Sequence, residues 1–181
     1  RSGKHAYTIA LVASMISHHG RENAKAWLTG VKNNLARRPQ GNDRAQVKAI
    51  KDGLCDVALG NNYYFGKMMS DPKQRPWAEA VHVAFPNQQN RGAHVNISGM
   101  AMAKHAPNPS AAKKLMEWLV GAEAQSIYAE QNYEYPIREG VKWAPLLADL
   151  GTFKSDTLPI SKIAELRKDA VKLVDEVGFD G

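Results

Sequence analysis

Leu54-Cys55-Asp56-Val57-Ala58-Leu59 is a short apolar run closed by Gly53 on one side and Gly60 on the other. A run of that length between glycines predicts a buried strand. Asn61-Asn62-Tyr63-Tyr64 follows directly, and Tyr63 to Ser70 is long enough for a short helix. Two tyrosines therefore fall where a strand hands over to a helix. In open α/β sheets ligands bind at that edge, outside the carboxyl ends of the strands. A Tyr-Tyr pair is by default packing, with rings inside and hydroxyls wet. A phenolate oxygen is also a hard, anionic donor, suited to a hard, highly charged cation. The pair alone leaves both readings open. Adjacent side chains point in different directions on a regular helix or strand. Both phenols reach one ion only if the turn breaks that regularity, which Gly60 and the two asparagines allow.

The remaining pattern alternates helices with short extended stretches. Ala6 to His18 is rich in apolar residues and reads as a largely buried helix ended by Gly20. Glu22 to Ala36 places Ala24, Trp27, Leu28, Val31 and Leu35 at helical spacing. Asn42 or Asp43 is a good cap for a third helix running to Gly53. Ala80 to Phe85 and Val95 to Ala103 read as strands, the second interrupted by a glycine. Asn108-Pro109-Ser110 predicts a helix start, with Asn as cap and Pro at the first helical position, and Ala122 to Gln131 continues as another helix. Tyr133 to Pro136 reads as extended, residues 137 to 159 as an irregular connection, and Ser161 to Val177 as one amphipathic helix. Strands alternating with helices define an α/β fold with some parallel sheet.

Composition narrows the function classes. The chain has 181 residues, 44% of them hydrophobic and 23% charged, enough for an ordinary soluble core. Its formal net charge is +6, with a pI near 9.4, and the basic residues are scattered rather than gathered in one stripe. A basic chain can bind nucleic acid, but no recognition motif accompanies the charge. The balance also suits a small anionic ligand. The single cysteine, Cys55, excludes an internal disulfide and any cysteine-rich metal site. No HExxH, CxxC, GxGxxG or GxxxxGK[ST] motif occurs, Ser98-Gly99 lacks a nucleophile elbow, and no paired acid and base is evident. These absences argue against an enzyme. The chain opens on Arg1, which reads as a processed product or a fragment and leaves room for an export signal in the missing start.

Three polar stretches open predicted helices: Arg1-Ser2-Gly3-Lys4, Gly41-Asn42-Asp43-Arg44 and Asn61-Asn62-Tyr63-Tyr64. Each by itself reads as a capping turn. Free N–H groups and a positive helix end also make such a turn an anion site. His18-His19 reads as a helix-end pair, solvated or capping the helix rather than binding metal, and His5 as a residue beside the first turn.

RSGKHAYTIALVASMI, RRPQGNDRAQVKAI, LCDVALGNNYYFGKM, SGMAMAKHAPNPSAAKKLMEWLVGAEAQ and NYEYP together resemble bacterial periplasmic ferric-iron-binding proteins. These are the substrate-binding components of iron(III) ABC importers. The resemblance covers essentially the whole chain, and the NNYY turn is its most specific part. It implies a two-lobed fold of the type 2 periplasmic-binding class, closing on its ligand by a hinge. It implies that Tyr63 and Tyr64 are paired phenolate ligands of Fe³⁺, and that Tyr7 is a third ligand found in one branch of the family. Ser2 and Gly3 match a turn that helps hold a synergistic anion such as carbonate or phosphate. Asn42 and Asn61 match anion- or tyrosine-supporting positions, and Arg1 and Lys4 join them by charge.

Family members are nearly twice as long. The resemblance therefore implies that residues 1–94 belong to the second lobe. Residues 95–144 would return to the first lobe, and 145–181 would pack back on the second. Further ligands would come from the absent N-terminal portion, and the exposed apolar surface would favour self-association. The implied location is the periplasm and the implied partner an inner-membrane ABC permease. The alternative is a binding protein of the same fold for an anion or a polyamine. The chemistry suits the first reading. Free tyrosine has a pKa of about 10, so two phenolates at neutral pH need a strong local positive charge, which Fe³⁺ supplies. Tyr133 and Tyr135 stand outside the motif.

Overall fold

The computed structural model describes residues 1–181. The helices in chain order are α1 (Ala6–His19), α2 (Arg21–Asn33), α3 (Asp43–Lys51), α4 (Asn62–Ser70) and α5 (Arg75–Ala78). They continue with α6 (Pro109–Leu119), α7 (Ala122–Asn132), α8 (Pro145–Asp149), α9 (Ile160–Glu165) and α10 (Arg167–Val177). The chain divides into two compact units. The first comprises Arg1–Gly60, Ala84–Asn96 and Phe153–Gly181; the second comprises Asn61–Val83 and Ile97–Thr152.

The first unit is built on α1, whose near-continuous apolar sequence lets it bury several sides. Ile9, Val12, Ala13, Met15 and Ile16 of α1 meet Ala24 and Leu28 of α2 and Ala170, Leu173 and Val174 of α10. Residues 24 and 28, and 170, 173 and 174, follow the spacing of one helical face. Each large side chain buried here contributes roughly 1.5–3 kcal/mol. Gly20 turns α1 into α2 at φ 76, a conformation that glycine adopts without strain, and its N–H closes α1 on the Ile16 carbonyl at 2.9 Å. In the second unit α4 packs on α5 and α7, and α6 on α7.

The extended stretches depart from the sequence expectation. Leu54 to Leu59 forms no strand, and Leu54, Val57 and Leu59 are 46%, 80% and 59% exposed. Ala80–Phe85 and Val95–Ala103 form no strand either, leaving Ile97, Met100 and Met102 exposed. A strand exists only through a neighbour that takes its N–H and C=O groups. One isolated parallel bridge, Ala93 to Ser155, is the only β pairing among these 181 residues. Apolar pattern therefore marks what such segments suit, while pairing decides what they become. The expected single helix 161–177 is interrupted at Leu166 (φ −85, ψ 0), so that α9 and α10 are separate. Pro145 starts a short helix inside the expected irregular connection, and Asn108 makes no side-chain cap bond before Pro109.

The Ala93–Ser155 bridge is fastened to α1 by a buried carboxylate. Asp156 donates its N–H to the Ala93 carbonyl at 2.8 Å, and its Oδ2 lies 2.7 Å from His18 Nε2 and accepts from Ser14 Oγ at 3.4 Å. Its Oδ1 accepts from the Leu158 N–H at 3.0 Å. His18 is thus bound rather than solvated. Burial alone would raise the Asp156 pKa, but the Leu158 N–H, the His18 hydrogen bond and the charges of His18 and Arg91 outweigh it. The carboxyl is held below its usual 3.8.

A carboxylate depressed in the fold adds stability above its unfolded pKa, and that stability is lost as pH falls through the folded value. Denaturant midpoints are therefore expected to fall as pH drops from about 5 to below the usual carboxylate value. Asp156→Asn is expected to lose less over that interval; an equal loss would show that another group carries the acid response.

Candidate metal centre

The tyrosine turn lies at the N-terminus of α4. Asn61 is the N-cap in an extended conformation (φ −91, ψ 135), its carbonyl accepts from the Tyr64 N–H at 3.2 Å, and Tyr63 and Tyr64 are the second and third helical residues. The helix is regular from Asn62 on, so the expected break in regularity is not what brings the two rings together. They lean against each other, with centroids 4.1 Å apart and planes 30° apart. Both are half-buried. Lys67 places its Nζ 5.8 Å from the Tyr63 ring centroid. Two phenol-bearing residues thus stand in the first turn of one helix. Asn62 Nδ2 is buried there and makes no hydrogen bond.

The other expected site residues lie in the first unit, apart from Asn61. Tyr7 is the second residue of α1. His5 caps that helix through Nδ1, which accepts from the Tyr7 N–H at 3.2 Å, and the His5 ring meets the Tyr7 ring edge-on at 4.8 Å. The Arg1 guanidinium lies 5.2 Å from the Tyr7 ring centroid, and its Nε is 2.9 Å from Asp43 Oδ1. Partial burial, and then the charge of Arg1, push the His5 imidazole pKa below its usual value. Asn42 caps α3 by accepting from the Ala45 N–H at 3.1 Å.

Ser2 and Gly3 do present donors to an oxyanion, and an internal carboxylate takes them. Ser2 Oγ donates to Asp180 Oδ2 at 2.8 Å, and the Gly3 N–H donates to Asp180 Oδ1 at 2.7 Å. A Cβ at Gly3 would come 2.7 Å from Val174 and 2.9 Å from Phe179, so the turn is pressed onto the end of α10. Lys4 points elsewhere, to Asp175 at 3.1 Å.

Sequence reading missed Asp180, 177 positions from Gly3, and it missed His5 as a cap. The signal for His5 was present, since it directly precedes the apolar run of α1; Asp180 had none. No group of three His, Cys, Asp or Glu side chains is placed to hold a metal ion. A cavity of about 290 Å³ beside Leu54, Cys55, Asp56 and Val57 is lined by none of the expected site residues.

The chain is similar to several known proteins. Residues 6–155 match the bacterial extracellular solute-binding proteins. The chain is 44% identical to iron uptake protein A1 of Synechocystis sp. over 99% of its own length and 50% of that protein's. It therefore spans about half the length of the curated relatives it matches. The crystal structure of Pasteurella haemolytica apo ferric ion-binding protein A superposes with a TM-score of 0.97 at 54% identity, covering 100% of this chain and 57% of that one. A Trichodesmium protein in complex with iron and citrate ligands superposes with a TM-score of 0.93 at 44% identity, covering 99% of this chain and 57% of that one. The expected class, α/β of the type 2 periplasmic-binding kind, is the fold of these neighbours, of which this chain forms a part. On the family match and these likenesses together, the chain belongs to the bacterial extracellular solute-binding proteins, among their ferric-iron-binding periplasmic members.

Proposed function

We propose that the chain binds Fe³⁺ as cargo through the phenolates of Tyr63, Tyr64 and Tyr7, together with a small anion, and delivers it in the periplasm to an ABC importer. The observation that carries this is the Tyr63–Tyr64 stack at the positive end of α4, in a structure with no His/Cys/Asp/Glu cluster suited to a metal. Relatives named for iron uptake and ferric-iron binding support the cargo. The function is binding, not catalysis. In the longer fold, residues 1–94 are assigned to the second lobe and 95–144 to a return into the first. Residues 145–181 are assigned to a tail packing back on the second; the contact of α10 with α1 and α2 supports that last assignment.

The anion is assigned to Arg1, Ser2, Gly3 and Lys4, with Asn42 and Asn61 as supporting positions. The Asp180 carboxylate on Ser2 and Gly3 supports this, because carbonate or phosphate offers the same paired oxygens. In this reading the anion displaces Asp180 when metal arrives, drawn by the charge of the bound ion.

Ferric titration in the presence of bicarbonate, phosphate or neither tests both parts. An intense phenolate-to-iron band is expected, with tighter binding when one of the anions is present. Absence of the band overturns the ferric reading. An unchanged affinity without either anion overturns the anion reading alone. Thermal stabilisation by an anion or a polyamine, with no band, would establish a binding protein of the same fold for another ligand.

A further inference from the structure

We propose that Tyr133 is a positioning residue for the paired phenols: its ring fills the notch left by Gly66 and thereby fixes α4, which carries Tyr63 and Tyr64. This rests on the reading that those phenols ligate iron.

Gly66 is buried in α4, one turn beyond Tyr63. A Cβ built there would lie 2.3 Å from Tyr133 Cγ, 2.6 Å from its Cβ and 2.7 Å from its Cδ2. No side chain tolerates such distances, so the Tyr133 ring lies directly on the helix backbone and only glycine admits it. At the end of the same helix Ser70 Oγ is hydrogen-bonded to the Tyr133 hydroxyl. Tyr63, Gly66 and Ser70 follow the i, i+3, i+7 spacing of one helical face. Tyr133 therefore holds the stripe that begins with a proposed metal ligand.

Its own backbone is held just as firmly. Tyr133 is the C-cap of α7 in the left-handed region (φ 56, ψ 36), and its N–H bonds the carbonyl of Ala129. Only Asn87 shares a positive φ among the non-glycine residues. A bulky aromatic residue is disfavoured there and persists only where its surroundings over-determine it. The seat on Gly66 and the bond to Ser70 are such surroundings. The next residue is fastened too, since the Glu134 carboxylate accepts from Ser98 Oγ at 3.0 Å.

The hydroxyl of Tyr133 sits by Ser70, about 10 Å along the helix from Tyr63 at 1.5 Å rise per residue. Tyr133 thus acts through α4 and not as a donor to the ion. Positioning matters because two adjacent phenols share one ion only within a few tenths of an ångström, roughly the 0.5 Å tolerance of a preorganised site.

Gly66→Ala is the sharpest test. Alanine favours a helix interior over glycine, so α4 itself is not weakened by the change. Any loss then arises from displacement of the Tyr133 ring. In the full chain, Gly66→Ala and Tyr133→Ala are each expected to weaken ferric binding at least about tenfold and to shift the visible band, on the scale seen when groups that orient metal ligands are removed. Tyr133→Phe keeps the ring on Gly66 and is expected to retain both affinity and band position. Leu147→Ala, which empties a fully buried site elsewhere in the second unit, is expected to lower the melting temperature with the band unmoved.

Wild-type affinity and spectrum in Gly66→Ala and Tyr133→Ala would overturn the proposal while leaving the ferric reading intact, provided that Tyr63→Phe loses the band. A band shift in Leu147→Ala equal to theirs would reduce Tyr133 to a stability role and overturn it as well. No band in the wild type would overturn both readings together.

Discussion

Replacing Tyr63 or Tyr64 by phenylalanine is expected to abolish most ferric binding while leaving the fold nearly untouched. Each substitution removes one anionic oxygen from the proposed ligand set. Losing an outer partner of a metal ligand costs about 10–100-fold in affinity, and losing the ligand itself is expected to cost more. The rings are half-buried and stacked at 4.1 Å, and phenylalanine keeps that contact. The melting temperature is therefore expected to stay within a few degrees of the parent. The visible band, which arises from phenolate donation, is expected to shift or bleach in each single variant and to vanish in the double. Tyr7→Phe is expected to act in the same direction with a smaller effect, and it too keeps its edge-on contact with His5 at 4.8 Å. Because the phenols must lose protons to bind, the parent is expected to release iron as pH falls. Tyr135→Phe is the proper control, since Tyr133 packs on α4. An undiminished band in either Tyr63→Phe or Tyr64→Phe would sink the ferric assignment.

Helices were legible from sequence because their information is local. Gly20, Asn42 and Pro109 sit at the ends they were expected to mark, and the i, i+4 spacing of Ala24 and Leu28 identified a buried face. The NNYY turn was legible as a helix start for the same reason. What failed depended on distant partners. Leu54 to Leu59 has the composition of a buried strand, yet no extended segment of the chain pairs with it. Asp180 occupies the donors of Ser2 and Gly3 from the opposite end of the sequence, and Asp156 reaches His18 across 138 positions. Tyr133 looked extended and peripheral, because nothing local shows that a glycine 67 positions earlier exists to receive its ring. The break at Leu166 followed the same logic. Periodicity continues through it, but Ile163, Leu166, Val171 and Val177 all pack on the α1–α2–α10 core from the two helices it separates.

The largest stability effect is expected at Asp43. Its side chain is 4% exposed and that of Arg1 10%, with Arg1 Nε 2.9 Å from Asp43 Oδ1. Asp43 is also the first residue of α3, and a Cβ on Gly60 would lie 3.7 Å from its side chain. One carboxylate thus joins the Arg1 turn, the start of α3 and the end of the apolar run. A buried ion pair owes little net stability to its Coulomb attraction, because both charges have left water. Removing one partner is different, since it strands the other, and the typical cost is about 3–5 kcal/mol. Asp43→Ala is expected to lower the unfolding free energy by that amount, read from denaturant titration. Arg1→Met strands the carboxylate instead and is expected to cost nearly as much. The double variant Arg1→Met/Asp43→Leu is expected to recover most of either loss, because neither charge is then left alone. Losses that simply add in the double variant would show that the pair is not the unit. The site should respond as well. Arg1 lies 5.2 Å from the Tyr7 ring centroid and is tied to Asp43, so releasing it removes a fixed cation from beside a proposed ligand. Asp43→Ala is therefore expected to weaken iron binding even at temperatures where the protein stays folded, and wild-type affinity under those conditions would separate the fold's dependence on this pair from the site's.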